Sequence, residues 1–188
     1  MQEKKNSTWG IKKIDNVKIE NIKKEVELFD DEWFMDTSRQ ESYKVHKKTF
    51  CYSLVYLDYE WLPGDRVKFE TRNIFKNKMS QLELENIYST LESLYNGKVV
   101  GSELIKMSNH TKINKHIDGG DILYFARRVH IPIITTDGVI FNVNKDSINM
   151  KEGICYEINN AMPHSVENPT DIDRVHLIID IMPNEFMI

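Results

Sequence analysis

The apolar positions of the chain follow two rhythms. Ile19, Ile22, Val26, Phe29 and Trp33 step by 3, 4, 3 and 4, which predicts an amphipathic helix near 18–34. A second helix is predicted near 80–96. Ser80-x-x-Glu83 has the form of a capping box, Leu84, Ile87, Tyr88, Leu91, Leu94 and Tyr95 make one apolar stripe, and Asn96-Gly97 supplies the stop. Between the two, residues 50–59 are rich in β-formers, and Leu62-Pro63-Gly64-Asp65 turns the chain.

From Lys98 onward the period shortens toward two. Strands are predicted near 99–107, 113–117, 128–135, 138–143, 154–158, 164–167 and 173–182, with Asp137-Gly138 as a tight hairpin. Seven short strands at this spacing predict a sandwich or jelly roll, with the front helices packed on one outer face. No repeat, low-complexity tract or linker interrupts the pattern. Residues 1–188 therefore read as one domain, with a helical front part at about 1–97 and a β core at about 98–182.

Composition narrows the class. Of 188 residues, 40% are hydrophobic and 29% charged, the balance of a folded globular chain rather than a disordered or membrane protein. No apolar run approaches the ~18 residues of a membrane span. Residues 1–13 are polar with no signal-peptide core, so the expected location is the cytoplasm. The net charge of −4 speaks against a broad phosphate-binding face, so nucleic acid is not an expected partner. Cys51 and Cys155 lie far apart in no metal-ligand spacing and read as reduced core thiols.

The chemistry concentrates around histidines. Six are present: His46, His110, His116, His130, His164 and His176. In His116-Ile117-Asp118, strand alternation turns one imidazole and one carboxylate to the same side. With one distant histidine they would form a facial triad that leaves three coordination positions open and suits non-haem Fe(II). The tripeptide alone decides nothing, since chance yields roughly 0.9 such matches in a chain of this composition. The plainer reading is a surface histidine beside a turn aspartate.

Three further segments change the balance. In Arg127-Arg128-Val129-His130-Ile131-Pro132-Ile133, alternation puts Arg128, His130 and Pro132 on one face and Val129, Ile131 and Ile133 on the other. A polar inner face is expected only where it lines a cavity. Asn160-Ala161-Met162-Pro163-His164-Ser165-Val166 places a histidine at the mouth of a strand. In Asp173-Arg174-Val175-His176-Leu177-Ile178-Ile179-Asp180, alternation separates Arg174, His176, Ile178 and Asp180 from Val175, Leu177 and Ile179. An inward arginine needs an anion, because guanidinium stays protonated and its desolvation is costly. A dicarboxylate ligand would supply one, as would an internal ion pair with Asp180 or Glu157.

Taken together, His116-x-Asp118, Arg128-Val-His130-Ile-Pro-Ile, Pro163-His164-Ser165 and Arg174-Val-His-Leu-Ile-Ile-Asp180 resemble the aspartyl/asparaginyl β-hydroxylase family. The order agrees, and so do the intervals of 48 residues between His116 and His164 and 10 between His164 and Arg174. The resemblance covers about 105–182. It implies a mainly β, double-stranded β-helix (jelly roll, cupin-like) fold with flanking N-terminal helices. It also implies a dioxygenase that uses Fe(II), 2-oxoglutarate and O2 to hydroxylate an amino acid, free or peptidyl and Asp/Asn/Pro-like. His116, Asp118 and His164 would hold the metal at the catalytic centre. Arg174 would pair with the far carboxylate of 2-oxoglutarate, His130 would help hold that cosubstrate, and Arg128 would face the substrate's own carboxylate.

Two departures qualify the match. Ser108-Asn109-His110-Thr111 stands where the family often has a Pro-Gly turn. Asp118 stands where many animal-type members have Gly, which places the chain nearer the small-molecule hydroxylases. Two other functions compete: a catalytically silent double-stranded β-helix that binds an anion or a protein, and a metal-dependent cupin enzyme without 2-oxoglutarate. The intact triad together with Arg174 speaks against the first, since a silent descendant has no need to keep all four residues, and Arg174 discriminates against the second, which lacks a dedicated site for the C5 carboxylate. Gly119-Gly120-Asp121 is either an edge of the site or a plain loop. His110 reads as a turn residue, His176 as a core residue bonded near Arg174, and His46 has no role assigned. Trp33 and Trp61 read as core or pocket wall, and Lys106, Lys112 and Lys115 as a solvated face.

Overall fold

Among the described residues strand is commoner than helix. The computed structural model describes residues 8–34, 37, 40–41, 46–57, 66 and 69–187. The expected turn at 62–65 and Trp61 lie outside those residues. The elements are β1 (Ile11–Asn16), α1 (Glu20–Val26), a 3-10 turn (Asp31–Phe34), β2 (Thr49–Leu57), β3 (Phe69–Thr71), α2 (Lys78–Tyr95), β4 (Gly97–Met107), β5 (Thr111–His116), α3 (Asp121–Phe125), β6 (Arg127–Ile134), β7 (Ile140–Val143), β8 (Asp146–Ile148), β9 (Ile154–Ile158), β10 (His164–Asn168) and β11 (Arg174–Pro183).

Among the described residues these strands form two sheets, in which every pairing is antiparallel. The larger has the order β1-β9-β6-β11-β4-β2-β3 and the smaller β5-β10-β7-β8. Met107, Tyr156 and Ile158 of the large sheet meet Ile113, Phe141, Val143 and Val166 of the small one in a single apolar cluster, so the sheets face each other. This is the expected double-stranded β-helix.

The outer face of the large sheet carries the other half of the alternation. Val129, Ile131 and Ile133 on β6 and Val175, Leu177, Ile179 and Ile181 on β11 pack against Ile22 and Val26 of α1 and Leu84, Ile87 and Leu91 of α2. Full burial of each such aliphatic side chain is worth about 1.5–3 kcal/mol, which makes this layer the main stabilising contact of the helices. Among the described residues no helix is long and apolar enough to cross a membrane.

The front of the chain is less helical than its apolar spacing predicts. It contributes β1 and β3, the two edges of the large sheet, together with β2. β1 is short and lysine-bearing with only part of one face covered, so it lacks the apolar alternation that marks a strand. The first helix also stops early, at Val26, and Leu28 is 82% exposed. A turn carries Phe29 and Trp33 back to the core, where their rings meet edge to face at 5.8 Å.

The capping differs as well. The N-cap of α2 is Asn77, whose side chain accepts from the Met79 amide, and not Ser80. The Glu83 carboxylate serves α1 instead, accepting from the Asn21 and Ile22 amides at 2.9 and 3.0 Å. At the far end of α2, Asn96 takes the left-handed cap conformation with φ 45°. Asp137-Gly138 turns the chain as expected but makes no hairpin, because β6 and β7 on either side of it belong to different sheets.

Candidate metal centre

The polar faces predicted for β6 and β11 do line a cavity. A half-open pocket between the sheets, about 420 Å³ with its mouth included, is walled by His46, Ile105, Ile113, His116, Asp118, Arg128, His130, Phe141, His164, Val166, Arg174 and Ile178. All six sequence-predicted site residues lie on it.

His116 ends β5 and His164 begins β10, and the two are direct partners in the ladder. Their rings lie 4.3 Å apart. Each ring is fixed through Nδ1, His116 against the Asn114 carbonyl at 2.8 Å and His164 against the Met162 carbonyl at 3.1 Å. A carbonyl can only accept, so each Nδ1 carries a proton. In a neutral ring, Nε2 is then the lone-pair nitrogen, the arrangement a histidine metal ligand requires.

Asp118 sits two residues past His116 and completes the cluster. Its Oδ1 lies 3.6 Å from His116 Nε2 and 3.4 Å from His164 Nε2. One ligating atom from each of the three residues falls within 4.8 Å of the others. Cis ligands at metal–ligand distances of about 2.1 Å stand about 3 Å apart, so the cluster is slightly wider than a loaded site. Three electron-pair donors turned on one another have no hydrogen to share when the rings are neutral. A cation satisfies all three, and a 2-His-1-carboxylate set with open positions fits Fe(II). Burial alone would raise the Asp118 carboxyl, but the Arg128 guanidinium, joined by His164 and His116 whenever those rings are protonated, holds it well below the usual carboxylate range. The group is therefore anionic and ready to ligate.

Arg128 lies on the pocket wall as expected, with a different partner. Its Nε and Nη2 donate to the two Asp180 oxygens at 2.8 Å each, and Nη1 donates to Asp118 Oδ2. The fork expected to meet a substrate carboxylate is thus filled from within.

Arg174 shows the opposite arrangement. It is 2% exposed, and among the described residues no carboxylate lies in ion-pair range of it. The two internal partners considered for it are engaged elsewhere: Asp180 holds Arg128, and Glu157 accepts from Tyr95 Oη at 3.1 Å and faces Arg127 at 3.5 Å. Arg174 Nη2 donates to His176 Nδ1 at 2.6 Å, and among the described residues its Nε has no acceptor. Among the same residues His176 Nε2 and both ring nitrogens of His130 also lack partners. Burial pulls the Arg174 guanidinium down to about 9, still cationic at neutral pH. Burial, followed by the Arg174 charge, pushes His130 and His176 well below the usual imidazole value and keeps both neutral. Buried donors short of acceptors around one cation are an arrangement that an anion could complete.

The remaining residues separate cleanly. His110 is an exposed turn residue with φ 47° whose Nε2 meets Asp171 at 2.8 Å. His176 is the bonded core residue expected beside Arg174. His46, to which the sequence assigns no role, is buried on the pocket wall, its ring edge-on to His116 at 5.5 Å. Lys106 is not part of a solvated face, since its ammonium lies 5.0 Å from the Trp33 ring and 5.1 Å from the Phe50 ring. Gly120, with φ 107°, turns the chain from Asp118 into α3.

Comparison with known proteins bears on the family and the fold. The profile of the aspartyl/asparaginyl beta-hydroxylase family matches residues 18–183. No curated protein matches the chain. Among solved structures, HygX from Streptomyces hygroscopicus, with nickel and 2-oxoglutarate bound, is similar at TM-score 0.59 and 14% identity over 96% of this chain and 85% of its own. AviO1 from Streptomyces viridochromogenes Tue57 is similar at TM-score 0.57 and 12% identity, over 92% and 89%. An oxidoreductase of the 2OG-Fe(II) oxygenase family from Burkholderia pseudomallei is similar at 0.54 and 13%, over 76% and 74%. At these identities the likeness to solved structures speaks for the fold.

Proposed function

The chain belongs to the aspartyl/asparaginyl β-hydroxylase family, and on that premise we propose that it is an Fe(II)- and 2-oxoglutarate-dependent dioxygenase that hydroxylates an amino acid, free or peptidyl, with 1–188 as one oxygenase domain. The observation that carries the reading is the pairing of two incomplete sites in one pocket. The His116, Asp118 and His164 cluster wants a cation, and Arg174 wants an anion. 2-Oxoglutarate has a metal-chelating ketoacid end and a far carboxylate, so one molecule answers both.

When bound, the iron with 2-oxoglutarate and O2 supplies the oxidation, in which the cosubstrate becomes succinate and CO2 while a C–H bond becomes C–OH. The chain's own residues do the holding. His116 and His164 present Nε2, and Asp118 presents Oδ1. Arg174 offers its fork to the far carboxylate, with the geometry a carboxylate takes in two parallel hydrogen bonds. His130, neutral and buried, has an N–H to donate to the cosubstrate. Ile105, Ile113, Val166 and Ile178 keep water from the walls of the site. His46 lies beside His116 on the same wall. Buried, unbridged Cys51 and Cys155 suit a reducing cytoplasm.

The test is an incubation with Fe(II), 2-oxoglutarate and a panel of amino acids and short peptides, read by mass spectrometry. The reading expects succinate together with one product heavier by a single oxygen atom. Oxygen insertion that proceeds without 2-oxoglutarate would contradict it.

A further inference from the structure

Resting on the metal reading above, we infer that Asp180 is a positioning residue for the metal site, acting through Arg128 to hold Asp118 as a one-oxygen ligand and to preserve its charge. The three groups form a continuous chain. Asp180 and Arg128 are direct partners across the β11–β6 ladder, so their side chains leave the sheet on the same face. Asp180 takes two of the guanidinium's arms at 2.8 Å each, and both side chains are buried. Two parallel bonds to a planar fork fix its orientation. The third arm, Nη1, then points at Asp118 Oδ2.

This arrangement divides the work of the two Asp118 oxygens. Oδ2 is committed to Arg128, and Oδ1 is the one turned to His116 and His164. Asp118 follows the end of β5 and lies outside any strand, so the ladder does not hold its carboxylate. Arg128 replaces that constraint.

Charge makes Asp180 more than a tether. Asp118 and Arg128 alone would sum to zero, and a cation would meet a carboxylate already neutralised at close range. Asp180 restores a net charge of −1 to the trio, which gives the metal the anion it needs. A purely structural role accounts for the pair less well. β6 and β11 are already held by their backbone ladder and by the apolar layer on the outer face. Buried ion pairs often stabilise no better than apolar residues of the same volume. The same geometry removes Arg128 from substrate recognition, because a substrate carboxylate would have to displace two buried hydrogen bonds.

Co(II) titration of the apo protein, followed by calorimetry and by the visible ligand-field spectrum, tests the inference without turnover. Wild type and His116→Ala come first: saturable binding that His116→Ala abolishes upholds the metal reading, and its absence in wild type overturns that reading itself. Given binding, Asp180→Asn should weaken Co(II) affinity about 10–100-fold, the range typical for loss of a group that orients a ligand, and should shift the spectrum. Arg128→Lys, which keeps the charge but loses the fork, should weaken it severalfold. Asp180→Glu, which keeps charge and acceptors, should recover most of the affinity. Circular dichroism identifies folded variants, and Arg128→Lys decides the matter if Asp180→Asn does not fold. A folded Asp180→Asn or Arg128→Lys with wild-type affinity and spectrum would show that the pair serves the sheet alone and overturn the inference.

Discussion

His116 and His164 face each other directly across the β5–β10 ladder, each pinned through Nδ1 to a backbone carbonyl and each turning Nε2 toward the same Asp118 oxygen. The backbone thus sets the two imidazoles before any ligand arrives. Only Asp118 needs a side-chain partner to hold it.

Asp118→Ala should therefore lower Fe(II) affinity and turnover tenfold or more while leaving the fold intact. Arg128 keeps its two bonds to Asp180 in that variant, so no buried charge is left unpaired. Anaerobic Fe(II) titration with circular dichroism of the same samples checks both halves. Loss of the fold would mean that Asp118 is mainly structural.

Arg174 makes a stability prediction of unusual sign. A buried guanidinium with no carboxylate partner among the described residues costs the apo protein several kcal/mol. Arg174→Met fills a similar volume without charge and should melt at a higher temperature than wild type when no cosubstrate is present. With Mn(II) and saturating 2-oxoglutarate wild type should gain more than the variant and the gap should narrow, since a ligand at 100 times its Kd adds about 2.7 kcal/mol to the form that binds it. Thermal melts of both proteins with and without 2-oxoglutarate test this. A lower apo Tm for Arg174→Met would mark Arg174 as a structural residue.

Glu83 should matter for stability and not for chemistry. Its carboxylate takes the Asn21 and Ile22 amides that begin α1, whose own cap residue Ile19 has no side chain to offer. Glu83→Ala should cost about 1–2 kcal/mol, or roughly 2–8 °C in Tm for a domain of this size. Urea unfolding should show a lower midpoint with an unchanged slope, and metal affinity should stay within twofold of wild type.

Cys155 should be unreactive in the folded protein. Burial, reinforced by Asp15, pushes its thiol up to about 12, and the residue is fully buried. Thiolate is the reactive form, so it is scarce below that pH and scarcer still at the surface. A chromogenic disulfide reagent at pH 8 should titrate neither Cys155 nor the equally unbridged Cys51 until denaturant is added. Rapid labelling of native protein would contradict the burial argument.

How far the sequence could be read follows from what its pattern encodes. Period-two alternation places Arg128, His130, Arg174 and His176 on an inner face because that property belongs to a single strand. The partner of Arg128 belongs to two strands at once. It depends on the β6–β11 register, which alternation leaves open, so Asp180 could be named as a candidate for Arg174 and turn out to serve Arg128. Glu83 fails in a similar way: it sits three residues after Ser80 as a capping box requires, yet the helix it caps is α1, which packs against its own. His46 carries no motif at all, and only the fold brings it beside His116. β1 was illegible because an edge strand with one partly covered face has little apolar pattern to show.

Succinate release measured against 2-oxoglutarate concentration, for wild type and Arg174→Lys at fixed Fe(II), tests the central claim most directly. The claim is that the metal cluster and Arg174 bind the two ends of one cosubstrate. Lysine keeps the positive charge and loses the two-pronged contact, and the metal cluster is untouched. The account predicts saturable, Fe(II)-dependent succinate release by wild type, with a KM for 2-oxoglutarate raised at least tenfold in Arg174→Lys and a far smaller change in kcat. The same KM in both proteins would contradict it.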